Sequence, residues 1–162
     1  MTSTPAATRQ ANAAPVSARS AARLGAAMAL YQLDMNGGGV GALVEEFRAH
    51  WLGARLEDDL ELRAADAAFF EDVVRGATAR AAEIDALLAA ALREGWTLDR
   101  LDRPLRAVLR AAAYELVARP DVPVGTVINE YLEVAKALGD QAQAGFANGV
   151  LDRIAREARA PA

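Results

Sequence analysis

Three arginines, Arg9, Arg19 and Arg23, stand in the first 25 residues with no acidic residue among them. This arm carries +3, so the rest of the chain carries −7 of a net charge of −4. Arg19 and Arg23 are four residues apart and share one side of a helix, near an N-terminus where a cation gains nothing from the helix dipole. That placement suggests a use outside the fold, and phosphate is the target that suits guanidinium groups. An acidic body with one basic arm excludes a wholly basic coat for nucleic acid and allows a local cationic patch beside a surface for another protein.

Other chemistry is poorly supplied. The chain has no cysteine, which excludes disulfides, zinc-thiolate sites and cysteine nucleophiles and fits a reducing cytoplasm. His50 is the only histidine and has no second metal ligand at a binding spacing, so it reads as a helix-end side chain. Gly37-Gly38-Gly39 follows a helix and lacks the cation of a phosphate-cradling loop, which makes it a turn. Glu57 to Asp72 holds seven acids and one arginine, a solvated acidic face or a docking patch for a basic protein. Arg103, Arg106 and Arg110 share one helix side, either paired with nearby acids or facing RNA. Trp51 and Trp96 sit at helix ends, where closing the core is their expected role. Gly145 and Gly149 are spaced for close helix packing.

Helical periodicity positions these groups. Alanine and leucine dominate a chain that is 53% hydrophobic with only 6% aromatic residues, which favours helix-on-helix packing. Apolar stripes run through Leu24, Met28, Tyr31 and Met35, and through Val40, Leu43, Val44, Phe47 and Trp51. A loop near 54–59 is followed by one long helix predicted over 61–93, with Gly76 allowing a close crossing or a bend. A short turn at 98–101 leads to a helix with Pro104 in its first turn and Leu105, Val108, Leu109, Ala112 and Leu116 on its core face. Two more helices carry Val127, Ile128, Tyr131 and Ala135, then Phe146, Val150 and Ile154. The reading is all-α, about seven helices packed as two small antiparallel bundles in one domain over 18–158. Residues 1–17 are expected to be a disordered tail and 159–162 a short one. No apolar run reaches the roughly 20 residues of a membrane span.

Ordered motifs add a resemblance. Val122-Pro123, Ile128-Asn129-Glu130, Ala135-Lys136, Gly139 and Phe146-Ala147-Asn148-Gly149-Val150-Leu151-Asp152 resemble the C-terminal signature of the NusB family. Leu109-Arg110 with Tyr114-Glu115-Leu116 matches its LR.A.YEL helix, and Ala29-Leu30-Tyr31-Gln32 its ALYQ helix. Arg19 and Arg23 stand where the family begins with an arginine cluster, and Phe69-Phe70 with Val74-Arg75-Gly76 fit its central motif. The chain departs from the pattern at Ser20, Ala21 and Ala22 within that cluster. It departs again at Gln143-Ala144-Gly145, where the family often has Ser-x-Lys.

The resemblance implies an all-α transcription antitermination factor with no cofactor, no metal and no enzymatic step. It implies binding to the boxA element of nascent ribosomal RNA transcripts together with NusE, a small-subunit ribosomal protein, in the antitermination complex of RNA polymerase. By motif position it nominates Tyr31, Lys136 and Phe146 as RNA contacts beside Arg9, Arg19 and Arg23. Tyr31 and Phe146 also fall on apolar stripes, so a core role competes. Two other readings remain: a helical protein adaptor without RNA contact, and a stand-alone relative of the NusB-like domain of ribosomal RNA cytosine methyltransferases. The latter lacks room for a cofactor domain and the cysteine nucleophile. Monomer and homodimer are both open.

Overall fold

A computed structural model describes residues 17–50, 66–139 and 141–159. Arg9, Trp51, the predicted loop at 54–59 and the expected tail at 1–16 lie outside these residues.

Seven α-helices and one short 3-10 turn, with no strand, make up the described residues. Helix α1 spans Ala18–Asn36, α2 Val40–His50, α3 Ala67–Ala79 and α4 Ala81–Ala91. The turn is Leu98–Arg100, followed by α5 Arg103–Ala118, α6 Val124–Leu138 and α7 Ala142–Ala158. Local chemistry sets the starts of α1 and α3. The Ser17 hydroxyl accepts from the Ser20 amide at 2.9 Å, and the Asp66 carboxylate from the Phe69 amide at 3.0 Å. Both are N-cap bonds that satisfy otherwise orphaned donors. Gly37, at φ +68°, ends α1 in a conformation that costs other residues dearly.

Helix α5 is the hub. It packs on α1, α3, α4, α6 and α7, and ten of its residues from Leu105 to Leu116 are buried around nearly its whole circumference. Helices α1, α2 and α3 form one group and α4, α6 and α7 the other, with α5 shared. The face of α1 that meets them is mostly alanine (Ala21, Ala22, Ala26, Ala27, Ala29), which lets backbones approach closely. Phe47 and Phe70 stack with ring centroids 5.5 Å apart under α2 and α3. Burying side chains of this size stabilises the fold by about 1.5–3 kcal/mol each.

The helix predicted over 61–93 is instead two helices that meet at Arg80, and the short turn expected at 98–101 is a 3-10 turn over Leu98–Arg100. The break is not at Gly76. The Thr78 hydroxyl donates to the Val74 carbonyl at 2.7 Å, a back-bond that bends helices. Gly76 serves the close crossing instead: a Cβ there would lie 2.2 Å from Cζ of Tyr114. The paired glycines of α7 do not play that part, since a Cβ on Gly145 would meet nothing within 4 Å and one on Gly149 only the Arg153 side chain. Arg159, expected to begin the terminal tail, is anchored. Its guanidinium donates to the carbonyls of Leu116, Arg119 and Val122 at 2.6–3.0 Å, covering the C-terminal end of α5.

Candidate nucleic-acid interface

Two ion pairs set the direction of α1 against α5. Arg23 meets Glu115 and Asp34 meets Arg106, so the helices run antiparallel. The start of α1 therefore lies by the C-terminal half of α5, and the end of α1 by its beginning. Arg106 and Glu115 are nine residues apart, roughly 13 Å along the axis. The nominated residues divide between these two ends.

At the first end, Arg23 is part of the core. Its side chain is 4% exposed, and its Nε and Nη2 donate to the Glu115 carboxylate at 2.9 Å each. Nη1 donates to Glu130 at 3.2 Å, the Tyr131 hydroxyl donates to Glu115 at 2.8 Å, and the Ser20 hydroxyl donates to Glu130. Burial opposes the Arg23 charge, but hydrogen bonding and attraction from Glu115 outweigh it and hold the guanidinium protonated. The outward use expected for Arg23 is corrected here: its donors are consumed inside the protein. Helix periodicity placed it on the same side as Arg19 but gave no sign that Glu115, 92 residues away, would meet it.

Arg19 remains available. Its side chain is 43% exposed, lies 4.6 Å over the Phe69 ring and reaches Asp66 only at 4.0 Å. That geometry orients the guanidinium while leaving donors toward solvent.

At the second end lie Phe146, beside the start of α5, and Lys136, on the last turn of α6. Lys136, the chain's only lysine, is exposed near the end of α6 and bridges Glu133 at 3.1 Å. Leu138 and Gly139, just beyond it, line a cleft with Arg103, Pro104, Asp102 and Gln143. Asp102 and Gln143 also border a second cleft of about 260 Å³, whose wall is Phe146. Phe146 is half-buried, so neither the wholly core nor the freely exposed reading describes it. Tyr31 is also half-buried against the core, one turn before the Asp34 that holds Arg106.

Sequence reasoning placed Trp96 in the core, yet it is 47% exposed and its ring centroid is 5.6 Å from that of Phe146. Neighbouring glycine at Gly95, with φ +90°, turns the chain outward there. The arginine stripe of α5 splits as well. Arg106 and Arg110 are paired with Asp34 and Asp85, whereas Arg103 is exposed with no acidic partner among the described residues. The acids of the 57–72 cluster that are described serve structure: Glu71 binds Arg48 and Arg75, and Asp72 binds Tyr114 and Arg119. His50 is exposed at the end of α2, and no group of acids and histidine among the described residues is placed to hold a metal ion. No described helix is long and apolar enough to cross a membrane.

Comparison with known proteins covers the same ground. Residues 20–156 match the sequence model of the NusB family. The transcription antitermination protein NusB of Sphingopyxis alaskensis is 55% identical over 141 residues, spanning 87% of this chain and 94% of that protein. A crystal structure of T. maritima NusB superposes with a TM-score of 0.70 at 34% identity, covering 86% of this chain and 91% of that one. A chain in a crystal structure of the antitermination factors NusB and NusE in complex with double-stranded RNA gives a TM-score of 0.64 at 25% identity, covering 85% and 96%.

Proposed function

The chain belongs to the NusB family, and from that premise we propose that it binds the boxA element of nascent ribosomal RNA together with NusE. In that role it helps RNA polymerase read through terminators, in the cytoplasm where the transcript is made, and it works by binding without a catalytic step. The observation that carries this reading is the half-buried Phe146 on a cleft at the start of α5, with Lys136 exposed on the last turn of α6, just before the Leu138 and Gly139 that line the adjoining cleft. Single-stranded RNA is recognised by stacking its bases on aromatic rings while cations meet its phosphates, and this end of the molecule offers both.

Charge decides the role of the partner. Outside its first 25 residues the chain carries −7, which repels phosphate unless a basic protein offsets it. The family's arginine cluster is thinned at Ser20, Ala21 and Ala22, and Arg23 is sealed in the core. NusE therefore supplies part of the affinity. Titrating a labelled boxA RNA at fixed salt should give at least about tenfold tighter binding with NusE than without, roughly 1.4 kcal/mol. The burial of Arg23 also favours one second reading, a protein adaptor that does not touch RNA. Binding of RNA by NusE alone, unchanged when this protein is added, would select it.

A further inference from the structure

Most of the described arginines are spoken for. Arg23, Arg48, Arg75, Arg80, Arg106, Arg110, Arg119 and Arg156 each have a carboxylate oxygen within 3.3 Å. Among the described residues, the exposed arginines that have none within 4.0 Å are Arg93, Arg100 and Arg103. All three fall in one segment of eleven residues that runs from the end of α4 to the start of α5. Glu94, Asp99 and Asp102 lie in the same segment, so its formal charge is zero, yet none of the three arginines pairs with a described carboxylate.

The same segment carries Trp96, whose indole is nearly half exposed on an otherwise alanine- and leucine-packed protein. Arg100 lies 5.5 Å over that ring, and its Nη1 donates to the Gly95 carbonyl at 2.5 Å, so ring and cation hold each other in place. The Trp96 and Phe146 rings are tilted by 55° and frame the 260 Å³ cleft, whose floor is Leu101 and Leu105. Asp102, held by the Gln143 amide at 2.6 Å, borders it and offers an acceptor to a base edge. Two aromatic walls with the Arg100 guanidinium and the Asp102 carboxylate at the lining have the composition of a nucleotide site.

Building on the RNA-binding reading above, we propose that the Trp96–Phe146 cleft takes one unpaired RNA base. Trp96 is its stacking platform, and Arg93, Arg100 and Arg103 are the cations for the flanking phosphates. The segment thereby replaces the cations missing at Ser20, Ala21, Ala22 and Gly145. Exposed tryptophan gives more stacking area than the neighbouring phenylalanine, and a base inserted against it covers apolar surface that water now wets.

The test uses the full chain with a boxA RNA dodecamer, alone and with NusE. Trp96→Ala should weaken RNA binding about tenfold or more, and Trp96→Phe should restore it to within a few-fold. Replacing Arg93 and Arg103 together with Gln should lower the log–log salt slope by about 1.4, since each contact to single-stranded RNA contributes about 0.7. Thermal melts of the arginine variant should match the unmodified protein, as these side chains are exposed, and Trp96→Phe keeps a ring against Phe146 should Trp96→Ala lose some stability. If the unmodified protein binds no RNA in either setting, the RNA-binding reading fails and this proposal with it. RNA binding that is intact in Trp96→Ala overturns the proposal alone. Loss of NusE binding by Trp96→Ala in the absence of RNA, with RNA affinity unmoved, would assign the cleft to the protein partner and overturn it too.

Discussion

Arg23 of α1 and Glu115 of α5 form a two-point ion pair in which neither side chain is more than 4% exposed. The pair sits between α1 and α5, and Tyr131 and Glu130 of α6 complete it. Removing one partner of such a pair strands a buried charge, whereas replacing both with apolar groups can cost little. Glu115→Ala should therefore destabilise the protein by about 3–5 kcal/mol. The double variant Arg23→Met with Glu115→Leu should cost less than Glu115→Ala alone. Urea unfolding of the three proteins decides, and a loss below about 1 kcal/mol for Glu115→Ala would contradict this account.

Gly76 gives up its side chain to Tyr114. A Cβ at position 76 would lie 2.2–2.4 Å from three atoms of the phenol, so Gly76→Ala must displace a ring anchored to Asp72 at 2.8 Å. Overpacking of this kind costs about 1–3 kcal/mol. Shortening the obstacle with Tyr114→Leu should make the two changes less than additive. Equal midpoints for Gly76→Ala and the unmodified protein would dismiss the crossing.

Burial and the hydrogen bond to Asp72 push the Tyr114 hydroxyl up to about 12 from an ordinary value of 10. A pKa raised by folding contributes stability that is whole below pH 10 and is lost as pH rises toward 12, at most about 2.7 kcal/mol for two units. Tyr131, raised in the same direction by burial and by Glu115, adds to the decline. Stability measured from pH 9 to 12 should fall less steeply in Tyr114→Phe than in the unmodified protein. Parallel curves would remove Tyr114 from the alkaline transition.

Half-burial of Phe146 gives its replacement two consequences of different size. Phe146→Ala should cost less stability than the about 3–5 kcal/mol of a core aromatic, yet weaken RNA binding by about 1–3 kcal/mol. Arg19→Gln should leave the melting temperature in place and flatten the salt slope by about 0.7. For Arg23→Gln the structure predicts the reverse, a large loss of stability. Melts run beside binding curves separate these outcomes, and a core-sized melting loss for Phe146→Ala would move that residue to the scaffold.

The helices were legible wherever one apolar stripe met a clear stop, as with Gly37 after α1 and the Pro120–Pro123 turn before α6. The division at Arg80 was not, because the apolar stripe runs on without phase change and only the Thr78 back-bond marks the bend. Site residues followed the same rule. Lys136 and Phe146 are nominated through motif order, which reflects position in the chain. Arg23 was misjudged because its partners are distant in sequence, and a buried guanidinium looks the same in one dimension as a free one. Trp96 was misjudged for the opposite reason: helix-end tryptophans usually close cores, and the outward turn depends on the backbone at Gly95. Arg106 and Arg110 show that a shared helix face says nothing of which acids wait opposite.

The central claim, that this chain acts with NusE on boxA RNA to carry polymerase through terminators, is tested most directly by transcription itself. The template would place a boxA element between promoter and terminator, with purified polymerase, the other antitermination factors, NusE and this protein. Adding the protein should raise terminator read-through, and the rise should vanish when boxA is scrambled or NusE is withheld. Read-through that is the same with and without the protein, or that rises equally on the scrambled template, would contradict the account.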